Sequence, residues 1–253
     1  MVDAADLESA AFGRGSSNLL WCIIIKYSYM HKNMKKLLLS LLLLAGTSVS
    51  AQPTKGYYTM DAMGCMLLRE CKDGVKKITS ILDISSEYSN TSDFYHVATE
   101  FNNMLTSFNQ IGVGVFLADE KYFPVGHRGV YHTVGNNFFL NKTFMHRPHV
   151  LMSVMRHEGW HAAQDCMAGT IDNSLIAIIH NEEDVPEVWQ EMARRTYRNM
   201  PHAIPWEKEA TWAGKTEGMT MKALQACAAG EMWKVYPPTP KTGKWLKENG
   251  FMP

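Results

Sequence analysis

Net charge is what this sequence has least of: 25 Lys and Arg stand against 25 Asp and Glu in 253 residues. The first 51 residues hold five of those bases and three of those acids, so 20 basic and 22 acidic residues remain downstream. A surplus of two acids gives nucleic acid or an anionic membrane surface no electrostatic reason to bind. Long apolar runs are missing as well. The stretch Leu37–Ala45 is too short to span a bilayer. G-x-S-x-G, a phosphate-binding glycine loop and a dinucleotide fingerprint are all absent, which removes the nucleophile-elbow and nucleotide-binding readings. No internal repeat or low-complexity segment occurs. No C-x-x-C pair occurs either, which argues against zinc held by cysteines.

What is there begins with an export signature. Met34–Ala51 opens with Lys35 and Lys36, runs through the apolar stretch, and closes on the small residues Val49, Ser50 and Ala51. That is the layout of a signal peptide cleaved after Ala51, with no cysteine behind it to take a lipid anchor. Residues 1–33 precede this start and are read as vector-derived or as a start assigned too early. The expected mature chain, residues 52–253, suits one domain with a sizeable core, exported to the periplasm or beyond the cell and without a membrane anchor. Setting Cys22 aside leaves four cysteines, which in an exported chain suggest two disulfides. Three pairings are open. Cys65–Cys71 with Cys166–Cys227 is preferred, one closing a short local loop and the other tying two distant segments. The oxidised state disfavours catalytic cysteine chemistry.

Hydrophobic spacing divides the mature chain into helices and a small sheet. Met66, Leu67, Val75, Ile78 and Ile81 follow helical spacing, with a glycine as an interruption. Phe94, Val97, Phe101, Leu105 and Phe108 form a second stripe, ended by Gly112. "IGVGVFLA" reads as a buried strand, and "GVYHTVGNNFFLN" as two short strands joined around Gly135-Asn136. A helix begins at Arg147-Pro148, carries Val150, Leu151, Val154 and Met155 inward, and stops at Gly169. Further helices are expected from Pro186 to Met200 and from Pro205, followed by an extended C-terminal tail. The expected class is α+β.

Within the Pro148 helix stands "VMRHEGWHAAQDCMAG". Residues four apart share a helical face, so His157 and His161 can turn a ring nitrogen toward one ion. Two imidazoles and a carboxylate would leave a zinc position open for water. Glu158, about 100° around the helix, stands beside such an ion and can take a proton from water attacking a carbonyl. The rival reading is a pair of half-buried core histidines with Glu158 solvated. Asp165, four residues past His161, is placed to orient a ligand histidine through its other nitrogen, or is a plain surface carboxylate. His132 stands on a strand beside the site. Tyr197, Tyr131 and His180 are the candidate donors for transition-state charge.

The run His157-Glu158-x-x-His161-Ala162-x-x-Asp165-x-x-Ala168-Gly169 resembles the active-site helix of thermolysin-like zinc metallopeptidases, the gluzincin group of zincins. The likeness covers about sixteen residues. It implies a zincin-like α+β domain, one zinc per chain on His157 and His161, and Glu158 as general base. It also implies an edge strand before the helix that pairs with an extended peptide or protein substrate, a place filled by "GVYHTVGNNFFLN". A gluzincin takes its third ligand from a downstream glutamate in E-x-x-A or E-x-x-x-D. Glu207 fits E-x-x-A, with Glu209 and, less favoured, His180 as alternatives. Glu207 lies 46 residues after His161 and no N-E-x-x-S-D motif is present, so no thermolysin-type C-terminal domain is implied. The reading is an exported zinc metallopeptidase. A zinc-binding protein without turnover and a zinc hydrolase of cell-wall peptides stand as its alternatives.

Overall fold

The computed structural model describes residues 60–253; the expected signal peptide, its cleavage after Ala51 and the upstream 1–33 lie outside them. The architecture is α+β. Four strands, β1 (Val75–Lys77), β2 (Gly114–Ala118), β3 (Gly129–His132) and β4 (Asn137–Asn141), form one sheet in the order β1-β2-β4-β3. β2 and β4 run parallel, and both outer pairs are antiparallel. The hairpin from β3 to β4 turns through Asn136, which takes a left-handed φ of 48°. That conformation suits asparagine, whose short side chain tolerates it.

The sheet is buried on both faces, and strand alternation sorts its side chains. Val115, Leu117, Tyr131, Phe138 and Leu140 enter one hydrophobic cluster, and Phe116, Ala118, Val130 and Phe139 another. The first is completed by α3 (Ala98–Gln110) and α4 (Pro148–Met167); the expected stripe is buried throughout, Phe94 and Val97 in a 3-10 segment (Thr91–Val97) and Phe101, Leu105 and Phe108 in α3. The second is closed by α1 (Met60–Leu67). Burying a ring such as Phe138 or Phe139, both at 0 % exposure, contributes roughly 1.5–3 kcal/mol.

α4 is the central element. Thirteen of its twenty residues are buried, too many for a surface helix with one wet face. Val150, Leu151, Val154 and Met155 face the sheet-side cluster. Trp160, Ala163 and Met167 face a third cluster, built with Ala210 and Ala213 of α6 (Ile204–Lys215) and Ala223 and Ala226 of α7 (Met219–Ala228). Glycine at 159 is a matter of space: a Cβ there would stand 2.8 Å from Phe108 and 2.9 Å from Thr220. Arg156 holds Glu100 of α3 in a two-pronged ion pair.

Two expectations are corrected. The helical stripe over residues 66–81 is not one helix: Cys71 bonds back to Cys65, and Gly74, at φ 70°, packs against Asp119. The chain therefore re-enters as β1 and then α2 (Ile81–Ser85). The C-terminal tail is not extended. Thr239 caps the backbone N–H of Thr242, Pro240 occupies the first turn, and α9 (Pro240–Glu248) buries Leu246 completely; two further helices, α5 (Glu187–Thr196) and α8 (Met232–Val235), precede it. The structure also joins Cys166 to Cys227. Two cross-links are compatible with an oxidising, extracellular setting. Among the described residues no helix is long and apolar enough to cross a membrane.

Candidate metal centre

Three side chains from two helices converge. α4 supplies His157 and His161, whose ring centroids lie 5.1 Å apart and nearly perpendicular. α6 supplies Glu207. Its Oε2 is 3.3 Å from His157 Nε2 and its Oε1 is 3.6 Å from His161 Nε2. One nitrogen from each histidine and one carboxylate oxygen lie within 4.8 Å of one another. The close approach of the helices depends on Gly214, where a Cβ would meet His157 Cβ and Ser153 O at 3.2 Å.

The donor set matches a divalent ion of zinc's preferences, with two imidazoles and one carboxylate. Glu207 Oε2 is buried and faces the His157 imidazole at 3.3 Å without an aligned hydrogen bond, which is costly for a carboxylate oxygen unless positive charge faces it. Charge ties the three side chains to one another. Burial pulls the His157 imidazole down, but the adjacent Glu207 carboxylate outweighs it and the net shift is upward. Burial likewise pushes Glu207 up, and the two histidines draw it below its ordinary range.

Glu158 is not in the cluster. Its Oε2 accepts a 3.0 Å bond from the backbone N–H of Tyr131 on β3, the edge strand. Gly129 makes that approach possible, since a Cβ there would stand 2.6 Å from Val154 and 3.2 Å from Glu158. Tyr197 follows α5 and brings its phenol to Glu207 and Glu158. Burial first, then those two carboxylates, push its pKa well above the ordinary range.

The other expected residues lie elsewhere. Glu209 turns away from the histidines: its carboxylate accepts from the backbone N–H groups of Ile179 and His180, from Trp160 Nε1 and from Gln164 Nε2. Burial nevertheless pushes its carboxyl up to about 7, against the pull of those donors. His180 stacks on Trp160 at 5.7 Å and does not join the metal-ligand cluster. His132 meets the backbone of Leu67 rather than the site.

Asp165 is the clearest correction. It does not orient a ligand histidine. The Tyr131 phenol donates to its Oδ2 at 2.8 Å, while His161 Nδ1 is paired with Gln164 Oε1 at 2.8 Å. Sharing a helical face with His161 is insufficient, because Tyr131 reaches Asp165 from the sheet and Gln164 takes the imidazole's far nitrogen. Gln164 went unnoticed in the sequence. Its signal was an amide three residues past His161, a spacing that lets the two side chains meet.

Asp165 is fully buried, and burial pushes its pKa up from 3.8 to about 8. The folded chain keeps that proton up to about pH 8, whereas the unfolded chain releases it near pH 4. Stability is therefore lost as pH rises between those values, by about 1.4 kcal/mol per pH unit from this group. Asp165→Asn cannot titrate and still offers the phenol an oxygen. Chemical unfolding at pH 5 and pH 8 is expected to show a steeper loss in the parent than in the variant; equal losses would refute the assignment.

Compared with known proteins, the chain matches no family model, no curated protein and no solved structure.

Proposed function

We propose that this chain is an exported zinc-dependent metallopeptidase with a zincin-like domain. The observation that carries the reading is the convergence of His157, His161 and Glu207 on one point, with Glu207 Oε2 buried beside His157 but without an aligned hydrogen bond, and Glu158 beside the cluster. His157, His161 and Glu207 would hold the ion. Zinc held there would lower the pKa of a water and polarise a carbonyl. Glu158 takes the proton of the attacking water and passes it to the leaving amine. The Tyr197 phenol, next to Glu207 and Glu158, donates a hydrogen bond to the oxygen that becomes negative. β3 is an edge strand with its Tyr131 N–H turned off the sheet to Glu158, so an extended peptide laid along that edge passes the base. The two disulfides support an oxidising destination, in keeping with removal of residues 34–51.

The test is metal content together with cleavage. Mature protein equilibrated with zinc and desalted is expected to retain about one ion per chain and to cleave members of a broad peptide library. Glu207→Ala is expected to lose the ion under the same treatment. A parent that retains no metal overturns the reading. One zinc with no cleavage of any peptide, cell-wall peptides included, would make the chain a zinc-binding protein without turnover.

A further inference from the structure

Glu209, the glutamate that does not reach the histidines, is joined to one of them. Gln164 lies between, fully buried at 0 % exposure, and Glu209 is 1 % exposed. Gln164 Nε2 donates to Glu209 Oε2 at 2.7 Å and to the Trp206 backbone carbonyl at 3.1 Å. The carbonyl can only accept, and so can Glu209 as a carboxylate, so the amide nitrogen has to face them. Its oxygen is then left facing His161 Nδ1 at 2.8 Å, and an oxygen can only accept. Turning the amide over would set its oxygen against two acceptors, losing both bonds between side chains buried from solvent. Glu209 cannot rotate to relieve this. The N–H groups of Ile179 and His180 grip one side of its carboxylate and Trp160 Nε1 another.

We infer that Glu209 sets the tautomer of His161 through the Gln164 side chain, fixing the proton on Nδ1 and leaving the Nε2 lone pair toward Glu207. Glu209 and Gln164 are positioning residues; neither touches the ion. The inference rests on the metal-site reading for its purpose, since a ligand nitrogen must be free of its proton before it can bind. Its geometric content is independent of any metal.

The relay can be reversed without changing its shape. In Glu209→Gln the carboxamide oxygen stays with the two N–H groups of Ile179 and His180, so its nitrogen faces Gln164 and gives up the single 3.2 Å bond from Trp160 Nε1. Gln164 then turns its own oxygen to that nitrogen, giving up the weaker 3.1 Å bond to the Trp206 carbonyl, and its NH₂ to His161, which must accept at Nδ1 and carry its proton on Nε2. Two-bond proton–nitrogen NMR of ¹⁵N-histidine protein, metal-free and alkaline enough to keep the ring neutral, reads the tautomer directly. The parent is expected to show His161 protonated at Nδ1 and Glu209→Gln at Nε2. Chelator competition is expected to show zinc held about 10–100-fold more weakly in the variant. The exchanged pair Glu209→Gln with Gln164→Glu restores an acceptor at Nδ1 and is expected to recover both signals, a rescue that damaged packing would not give.

A parent protonated at Nε2 overturns the inference, and so does a Glu209→Gln variant with the parent's tautomer and zinc affinity. A parent that takes up no zinc refutes the metal reading instead, while the tautomer measurement still decides the relay.

Discussion

Glu158→Gln is expected to retain one zinc per chain and to hydrolyse peptides ~10²–10⁴-fold more slowly than the parent, the usual contribution of a positioned acid–base group. The substitution isolates proton transfer. A carboxamide oxygen still accepts the Tyr131 N–H, so the contact between β3 and α4 survives. The ligand cluster does not include Glu158, so the ion has no reason to leave. The loss should fall on kcat, with KM close to the parent's, because the amide occupies the same space and lacks only the basic oxygen. Stopped assays on a cleaved peptide, paired with elemental analysis of the same samples, check both halves. An unchanged rate would remove Glu158 from the chemistry. Loss of zinc would show that the residue supports the site's structure instead.

Removing the Cys166–Cys227 bridge is the second large effect. The cross-linked cysteines are 61 residues apart, against six for Cys65–Cys71. In the chain-entropy description the longer closure contributes about 4 kcal/mol and the shorter about 2 kcal/mol, each by restricting the unfolded chain. For a chain of this size 4 kcal/mol corresponds to a fall of roughly 10 °C in Tm. Cys166→Ala with Cys227→Ala is the suitable pair, because both half-cystines pack against the apolar clusters and alanine adds no buried hydroxyl. Melting should be followed with chelator present, so that a change in metal binding does not add its own stabilisation. A double variant that melts within about 2 °C of the parent would show that the bridge contributes little.

The central helix was legible because its signals are local. Pro148 in the first turn, Gly169 at the end and the inward stripe are all set by neighbours within a few turns. The same holds for His157 and His161, since four residues of helix fix their relative direction whatever lies around them. Residues that meet through packing were harder to read. The α6 sequence left Glu207 and Glu209 open because helical spacing does not state which side another helix will cover. Gly214 decides it: seven residues after Glu207 and on the same face, it admits the backbone of α4, and Glu209 is carried round into the Ile179 contact. Asp165 shows the opposite error, a correct face with the wrong neighbour, because the reach of Tyr131 from β3 is a tertiary fact. The C-terminal helix was missed for a different reason. Its Thr-Pro opening was present in the sequence, but the prolines before it suggested a tail, and the fully buried Leu246 outweighs them.

The placement of α4 between two hydrophobic clusters also governs how the cluster of ligands can open. His157 and His161 sit on a helix anchored to both sides of the interior, so their backbone amides belong to the part of the molecule that exchanges hydrogen with solvent last. Glu207 sits on α6, which contributes Ala210 and Ala213 to one of those clusters alone. The cheaper fluctuation is therefore outward motion of α6, which parts one ligand from the other two once the Glu209 hydrogen bonds to Trp160 and Gln164 of α4 give way. Escape of a bound ion would then follow the breathing of α6, at a rate set by the small-residue seam through Ala210, Ala213 and Gly214 and by the buried Glu209 bonds beside it.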